Sequence, residues 1–278
     1  MHLSVATADL YSEPFEKALA IIAEAGFRNI ELDLFWERKE WAMAQHLQGI
    51  RPGEVIRSIR QSGLKVTSIH DGGGVLDDTG STAGFVNPSL DEYLDCLGYA
   101  PDCLVFHTPH VEGAENAQWW EAISDRIVAS LEEYRKACSY VTIENMPFFP
   151  GYSVPLASPH DLHAFAVQNR LGVTLDTTHY AQIGTDIVET AKILGTTVRT
   201  IHISDFRAGR THLFIGEGDL DLPAFFQALD GNDLNAVTLE CSLSLAGTPD
   251  RPLSDGEMVS RMREARARME RLVQHFGL

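Results

Sequence analysis

Thiol pairs are missing from this sequence. Its four cysteines, Cys96, Cys103, Cys138 and Cys241, are scattered without a C-x-x-C spacing, which argues against a disulfide framework or a thiolate zinc site and leaves them as buried small hydrophobes. Long apolar runs are missing too. Nothing is long enough to cross a bilayer, and Met1-His-Leu-Ser-Val-Ala6 lacks the basic stretch and hydrophobic region of a signal peptide. The expectation is a cytoplasmic protein without a membrane partner. Positive charge is scarce: 22 Lys and Arg stand against 39 Asp and Glu, a formal net charge of −17. That surplus repels polyanions unless cations cluster locally, so nucleic acid is disfavoured as a partner. No low-complexity linker or shift in composition marks a boundary, and one domain over residues 1–278 is expected.

What is present is a recurrence of short apolar runs that each end in a residue able to bind a metal ion. They are Lys65-Val-Thr-Ser-Ile-His70, Cys103-Leu-Val-Phe-His107, Val141-Thr-Ile-Glu144, Gly172-Val-Thr-Leu-Asp176, Val198-Arg-Thr-Ile-His202 and Ala236-Val-Thr-Leu-Glu240. His2-Leu-Ser-Val-Ala-Thr7 and Asn29-Ile-Glu-Leu-Asp33 precede them, and eight strands is the number that closes a parallel barrel. The ligand-capable residues recur at roughly 26 to 38 positions, room for one strand and one crossover helix. Ser12-Glu-Pro-Phe15, Ser158-Pro-His-Asp161, Asp186-Ile-Val-Glu189 and Ser254-Asp-Gly-Glu257 read as helix starts. In the last helix Met258, Met262, Met269, Leu272, Val273 and Phe276 form an apolar face, and Arg261, Arg263, Arg266, Arg268 and Arg271 a solvated one. The fold class is therefore an α/β (β/α)8 TIM barrel, whose active sites lie at the carboxyl ends of the strands.

At such a mouth Glu144, Asp176, His202 and Glu240 supply three carboxylates and an imidazole, a set suited to Mn²⁺, Mg²⁺, Co²⁺ or Zn²⁺. Without a cation, three adjacent carboxylates repel one another and one must take up a proton. His70, His107, His179 and His212 are candidates for a second ion or for substrate contacts, whereas His2, His46, His110, His160, His163 and His275 have no such placement, with His110 kept as a backup for its closeness to His107. Asp71-Gly-Gly-Gly74 lacks the spacing of a dinucleotide site and reads as a flexible turn beside the metal centre. Trp36, Phe148, Phe149, Tyr180 and Phe206 follow strand ends and offer apolar walls to a ligand, and Arg207 and Arg210 offer charge to an anionic one.

Ile143-Glu-Asn145, Leu175-Asp-Thr-Thr-His179, Ile201-His-Ile-Ser-Asp205, His212 with Gly216-Glu-Gly218, and Leu239-Glu240 resemble segments of the xylose isomerase-like barrel superfamily. That group holds sugar and sugar-phosphate isomerases and epimerases, inosose dehydratases and apurinic-site endonucleases of the endonuclease IV type. The resemblance runs from the first strand, through Gly26-Phe-Arg-Asn-Ile-Glu31, to the last. It implies Glu144, Asp176, His202 and Glu240 as metal ligands, Glu144 and Glu240 as an acid/base pair acting through an enediolate, and His179 and Arg207 as contacts to substrate oxygens.

The endonuclease branch of the same superfamily implies counterparts for His70, His107, Glu144, Asp176, His179, His202, His212 and Glu240, with three zinc ions. Here Arg210-Thr-His212 stands where that branch has an Asp-x-His pair, and a cation in place of a ligand opposes a third zinc, leaving one or two ions. The leading expectation is a metal-dependent sugar or sugar-phosphate isomerase or epimerase acting on a small carbohydrate-like substrate, with homo-oligomerisation open. The alternative is a zinc phosphodiesterase acting on abasic DNA, and a third reading is a metal-stabilised binding subunit.

Overall fold

The computed structural model describes residues 1–35, 46–76, 81–82, 84–112, 118–229, 234–243 and 253–275. Eight parallel strands close a barrel: β1 (His2–Ala6), β2 (Asn29–Leu34), β3 (Lys65–Asp71), β4 (Cys103–His107), β5 (Tyr140–Glu144), β6 (Gly172–Asp176), β7 (Val198–Ile203) and β8 (Ala236–Leu239). Closure is made by β1, which pairs with β2 on one side and β8 on the other. Each expected run is one of these strands, with ends displaced by at most one residue.

Around the barrel lie α1 (Phe15–Glu24), α2 (Pro52–Gln61), α3 (Leu90–Leu97), α4 (Gln118–Glu133), α5 (Pro159–Asn169), α6 (Thr177–Gln182), α7 (Ile187–Leu194), α8 (Leu222–Ala228) and α9 (Asp255–His275). Ser158 caps α5 and Asp186 caps α7 through side-chain oxygens that accept from backbone N–H groups of the first turn. Ser254 and Glu257 form a reciprocal capping box at α9. Ser12 does not cap α1: Pro14 occupies that position and makes no side-chain cap. In α9 Met258, Met262, Met269 and Val273 are buried as expected, joined by Val259 and Ala265, while Phe276 lies outside the described residues. Arg261, Arg266 and Arg268 bind Glu217, Glu270 and Glu264, and Arg263 binds the Glu24 carbonyl. The helix is an outer layer of the barrel, with these four arginines engaged.

Side chains alternate along each strand. Ile30, Leu32, Phe106, Ile143, Val173, Leu175, Ile201 and Val237 are buried in the apolar core. The intervening residues point into the barrel, and many are polar. Ser4 and Thr238 lie 2.7 Å apart, as do Thr142 and Thr174, and Thr174 and Thr200. Each such bond contributes only about 0.5–1.5 kcal/mol, but an unpaired buried hydroxyl costs about 1–3 kcal/mol, so the hydroxyls hold as a layer. Cys103 joins it at 3.3 Å from Thr142. Cys103, Cys138 and Cys241 are buried, Cys96 is half-buried, and all four are free.

Two small sheets extend beyond the strands: Val75–Leu76, His110–Glu112 and Tyr152–Ser153 in one, and Asp205–Arg207 with Arg210–Leu213 in the other. Asp71-Gly-Gly-Gly74, expected as a flexible turn, is anchored at its first residue. The Asp71 carboxylate accepts from the N–H groups of Gly73 and Asn87, and a Cβ at Gly72 would lie 2.1 Å from the Phe35 ring. A side chain there would force the Phe35 ring to shift. Among the described residues no helix is long and apolar enough to cross a membrane.

Candidate metal centre and active site

Two residues beyond the hydroxyl layer, on the same inward face, come the ligand-capable side chains: Thr142 leads to Glu144, Thr174 to Asp176, Thr200 to His202 and Thr238 to Glu240. Their ligand atoms all fall within 4.8 Å of one another. His202 is the hub. Its Nδ1 lies 3.1 Å from Glu144 Oε1 and 2.8 Å from Glu240 Oε2. Asp176 Oδ1 is occupied by the His179 N–H at 2.6 Å, whereas its Oδ2 has no hydrogen-bond partner. Glu144 Oε2 and Glu240 Oε2 are likewise buried without a hydrogen bond.

The remaining histidines divide. His70 and His107 lie at the ends of β3 and β4, Nε2 to Nε2 at 2.8 Å, with Glu144 Oε2 at 3.0 and 3.5 Å from these atoms. These three residues form a second convergent group. A bulge brings His70 inward: Glu31 pairs with Ser68 where Ile30 pairs with Val66, so β3 accommodates one extra residue before its end. His179 sits in the first turn of α6, with Nδ1 2.9 Å from the Asn145 carbonyl and 3.4 Å from Glu144. His212 stands further out at a φ of 48°, its Nδ1 3.3 Å from the Glu240 carbonyl and its ring edge-on to His179.

Charge is shared across this cluster. Burial pulls the His202 and His70 imidazoles down, but the carboxylates around them, Glu31 and Glu144 for His202 and Glu144 and Asp33 for His70, override it and hold both well above the usual range. His179 rises to about 9, burial again being outweighed, here by Asp176 and Glu144. His107 is pushed down by burial and by the charge on His70. Burial opposes ionisation of Glu144 and Glu240, yet the His202 imidazole holds both below the usual carboxylate range. Asp176 is carried up to about 6 by burial. Imidazolium protons thus balance, without a metal, what a divalent cation balances on binding.

A cavity of about 270 Å³ opens beside the cluster. Asp9, His107, His179, His212 and Glu240 form its polar wall, and Phe35, Met146, Pro147 and Phe149 its apolar one. Of the aromatics expected as walls, Phe149 lines the cavity, Tyr180 is fully buried, Phe148 is exposed, and Trp36 lies outside the described residues. Phe206 also lies off the cavity wall. Arg207 and Arg210 face each other across the Asp205–Arg207 ribbon and do not line the cavity. Arg207 is exposed and bonded to Asp219 at 3.0 Å.

Three acids escaped the sequence reading. Glu31 and Asp33 lie on the inward face of β2; Glu31 is fully buried, 2.8 Å from His202 Nε2, and Asp33 lies 3.3 Å from His70. Their signal was present in Ile30-Glu31-Leu32-Asp33-Leu34, acid alternating with apolar residues inside a strand. Asp9 accepts from the Cys241 N–H at 2.9 Å, tying the residue after Glu240 to the β1 end of the barrel.

A parallel barrel with acids and imidazoles converging at its carboxyl mouth is the frame, and the sequence assigns the family within that class. The chain belongs to the xylose isomerase-like TIM barrel family, whose pattern matches residues 19–265. Among solved structures it is similar to a xylose isomerase domain protein from Alicyclobacillus acidocaldarius subsp. acidocaldarius, at 19% identity and a TM-score of 0.70 with both chains fully covered. It is similar to the IolI protein with a bound zinc atom, at 15% identity and a TM-score of 0.71 over 99% of each chain. It is also similar to an L-ribulose 3-epimerase, at 17% identity and a TM-score of 0.70 over 99% of this chain and 95% of the other. A comparison with curated proteins finds no match.

Proposed function

We propose that this protein is a divalent-cation-dependent sugar isomerase or epimerase that moves a proton on a carbon next to a carbonyl, with Glu144 and Glu240 as the acid/base pair. The observation that carries the reading is the convergence of Glu144, Asp176, His202 and Glu240 beside the cavity. The donor set fits a hard or borderline cation: three carboxylates and one imidazole with no thiolate, and buried carboxylate oxygens on Asp176, Glu144 and Glu240 that lack any hydrogen bond. These four residues would hold the ion, and Mn²⁺, Mg²⁺, Co²⁺ and Zn²⁺ all suit them. When bound, the ion supplies Lewis acidity that lowers the pKa of a C–H between a carbonyl and a hydroxyl.

The chain's own residues account for the remainder. Glu240, on the cavity wall, is held ionised by His202 and can accept the substrate proton. Glu144, fully buried and also held ionised, would be its partner: it first takes up a proton from the His70 imidazolium 3.0 Å away and then delivers that proton to the opposite face of the enediolate, while Glu240 keeps the one it removed. His107, His179 and His212 present ring nitrogens to substrate oxygens from the wall, and Phe35 and Phe149 offer apolar faces that exclude water. Arg207 and Arg210, bound or turned away from the cavity, are assigned no substrate contact in this reading. The reading draws support from the solved structure described as an L-ribulose 3-epimerase and from the zinc in IolI. A cytoplasmic location accords with it.

The test is proton exchange. Ketoses incubated with cation-loaded protein in deuterated water acquire label next to the carbonyl, and Glu240→Gln lowers that rate by roughly 10²–10⁴-fold. No exchange across a broad panel of ketoses overturns the proposal. The convergence of His70, His107 and Glu144 favours a second reading, a two-ion zinc phosphodiesterase acting on abasic DNA. It requires two equivalents of zinc and nicking of an abasic duplex, and it fails if the loaded protein leaves that duplex intact.

A further inference from the structure

Glu31 belongs to no function described so far, yet it is a carboxylate with no solvent exposure, placed on β2 on the far side of His202 from the other acids. Its two oxygens face different partners. Oε2 accepts from Ser68 Oγ at 2.7 Å, which orients the carboxyl group. Oε1 lies 2.8 Å from His202 Nε2 and 3.6 Å from His70 Nδ1, and both Oε1 and His202 Nε2 are buried without a hydrogen bond, so the 2.8 Å approach is a contact between charges rather than an aligned bond. The His202 ring therefore has carboxylates at both nitrogens: Glu144 and Glu240 at Nδ1, and Glu31 at Nε2.

An imidazole that ligates a cation through Nδ1 must carry its one proton on Nε2. A buried carboxylate at Nε2 selects that tautomer and fixes the plane of the ring, which is how outer carboxylates raise the affinity of metal-ligating histidines. We propose that Glu31 is a positioning residue: with a cation bound, its Oε1, already 2.8 Å from His202 Nε2, would accept the Nε2 proton and thereby present Nδ1 to the ion that Glu144, Asp176 and Glu240 would also hold. The inference rests on the metal centre described under the proposed function. Ser68 is part of the device, because it leaves Oε1 as the oxygen that meets the ring.

The experiment measures cation affinity, not turnover. Zn²⁺ and Mn²⁺ are titrated into metal-free wild type, Glu31→Gln and Glu31→Ala, with circular dichroism to confirm that each is folded. Glu31→Ala is expected to bind about 10–100-fold more weakly. Glu31→Gln, whose amide oxygen still accepts from Nε2–H and whose amide nitrogen can donate to Ser68, is expected to stay within a few-fold of wild type. In zinc-loaded wild type the ¹⁵N signals of His202 should show a protonated Nε2 and a metal-bound Nδ1, a readout that does not depend on either variant folding. Wild-type affinity in Glu31→Ala, equal losses in both variants, or a metal-bound Nε2 would each overturn the proposal. A wild type that binds no cation brings down the metal centre itself and this inference with it, and that failure is read on the unaltered protein alone.

Discussion

His70 and His107 meet Nε2 to Nε2 at 2.8 Å. At that distance one ring donates and the other accepts, and the raised His70 beside the lowered His107 makes His70 the donor. In the metal-free protein the two rings satisfy each other, and a second ion at His70, His107 and Glu144 would have to displace that contact.

We expect that contact to persist and the pair to take up no second ion. Elemental analysis of the dialysed, cation-loaded protein is expected to give one equivalent per chain in wild type and again in His107→Ala. Because His107 lines the cavity, the substitution should raise KM for the ketose. Two equivalents in wild type falling to one in the variant would assign the second ion.

Metal-free protein should lose stability as pH rises through the alkaline range. His179 has a folded value of about 9 against 6.5 for the free side chain. A raised value contributes stability that is complete below 6.5 and disappears as pH climbs through 9. His70 and His202 are raised as well and act in the same direction, while the depressed carboxylates Glu144 and Glu240 are ionised throughout that window. The thermal midpoint of the metal-free chain is expected to fall between pH 6.5 and 9.5, and added Mn²⁺ or Zn²⁺ at pH 8 should raise it again by mass action. A midpoint that climbs with pH in the absence of cation would contradict the shared-proton picture.

Asp205 should matter for stability rather than for the cation. Its carboxylate accepts from the N–H groups of Phe206, Leu220 and Gly216, folding the Gly216-Glu-Gly218 loop around itself. Gly218 passes so close that a Cβ there would lie 2.2 Å from Asp205 Oδ1 and 2.6 Å from the Phe206 nitrogen. Gly218→Ala and Asp205→Ala are each expected to destabilise by roughly 1–3 kcal/mol, through crowding in the first and unpaired N–H groups in the second. Urea unfolding measures the loss, and the cation dissociation constant of the folded variants should stay within a few-fold.

Much of this protein was legible before folding. The alternation in Val141-Thr-Ile-Glu144, Val173-Thr-Leu-Asp176, Arg199-Thr-Ile-His202 and Val237-Thr-Leu-Glu240 is a local property of extended backbone: apolar residues face the helices, and threonine and ligand face the interior. The eight strands, the convergence of Glu144, Asp176, His202 and Glu240 and the solvated face of α9 all follow from patterns of this reach. No such pattern places Arg207 and Arg210, because a charged side chain after a strand can turn toward a site or toward a nearer acid. Asp219 holds Arg207 on the outside.

The sequence by itself determined which side chains point inward and in which layer they lie, since period-two geometry depends only on neighbouring residues. Only the tertiary structure decided which inward residues touch. Barrel closure between β1 and β8 brings Asp9 to Cys241, and convergence of β2 with β7 at the barrel interior brings Glu31 to His202. The bulge in β3 turns His70 toward His107. These contacts join residues far apart in the chain, and their distances are set by strand register and barrel closure, which no local pattern encodes.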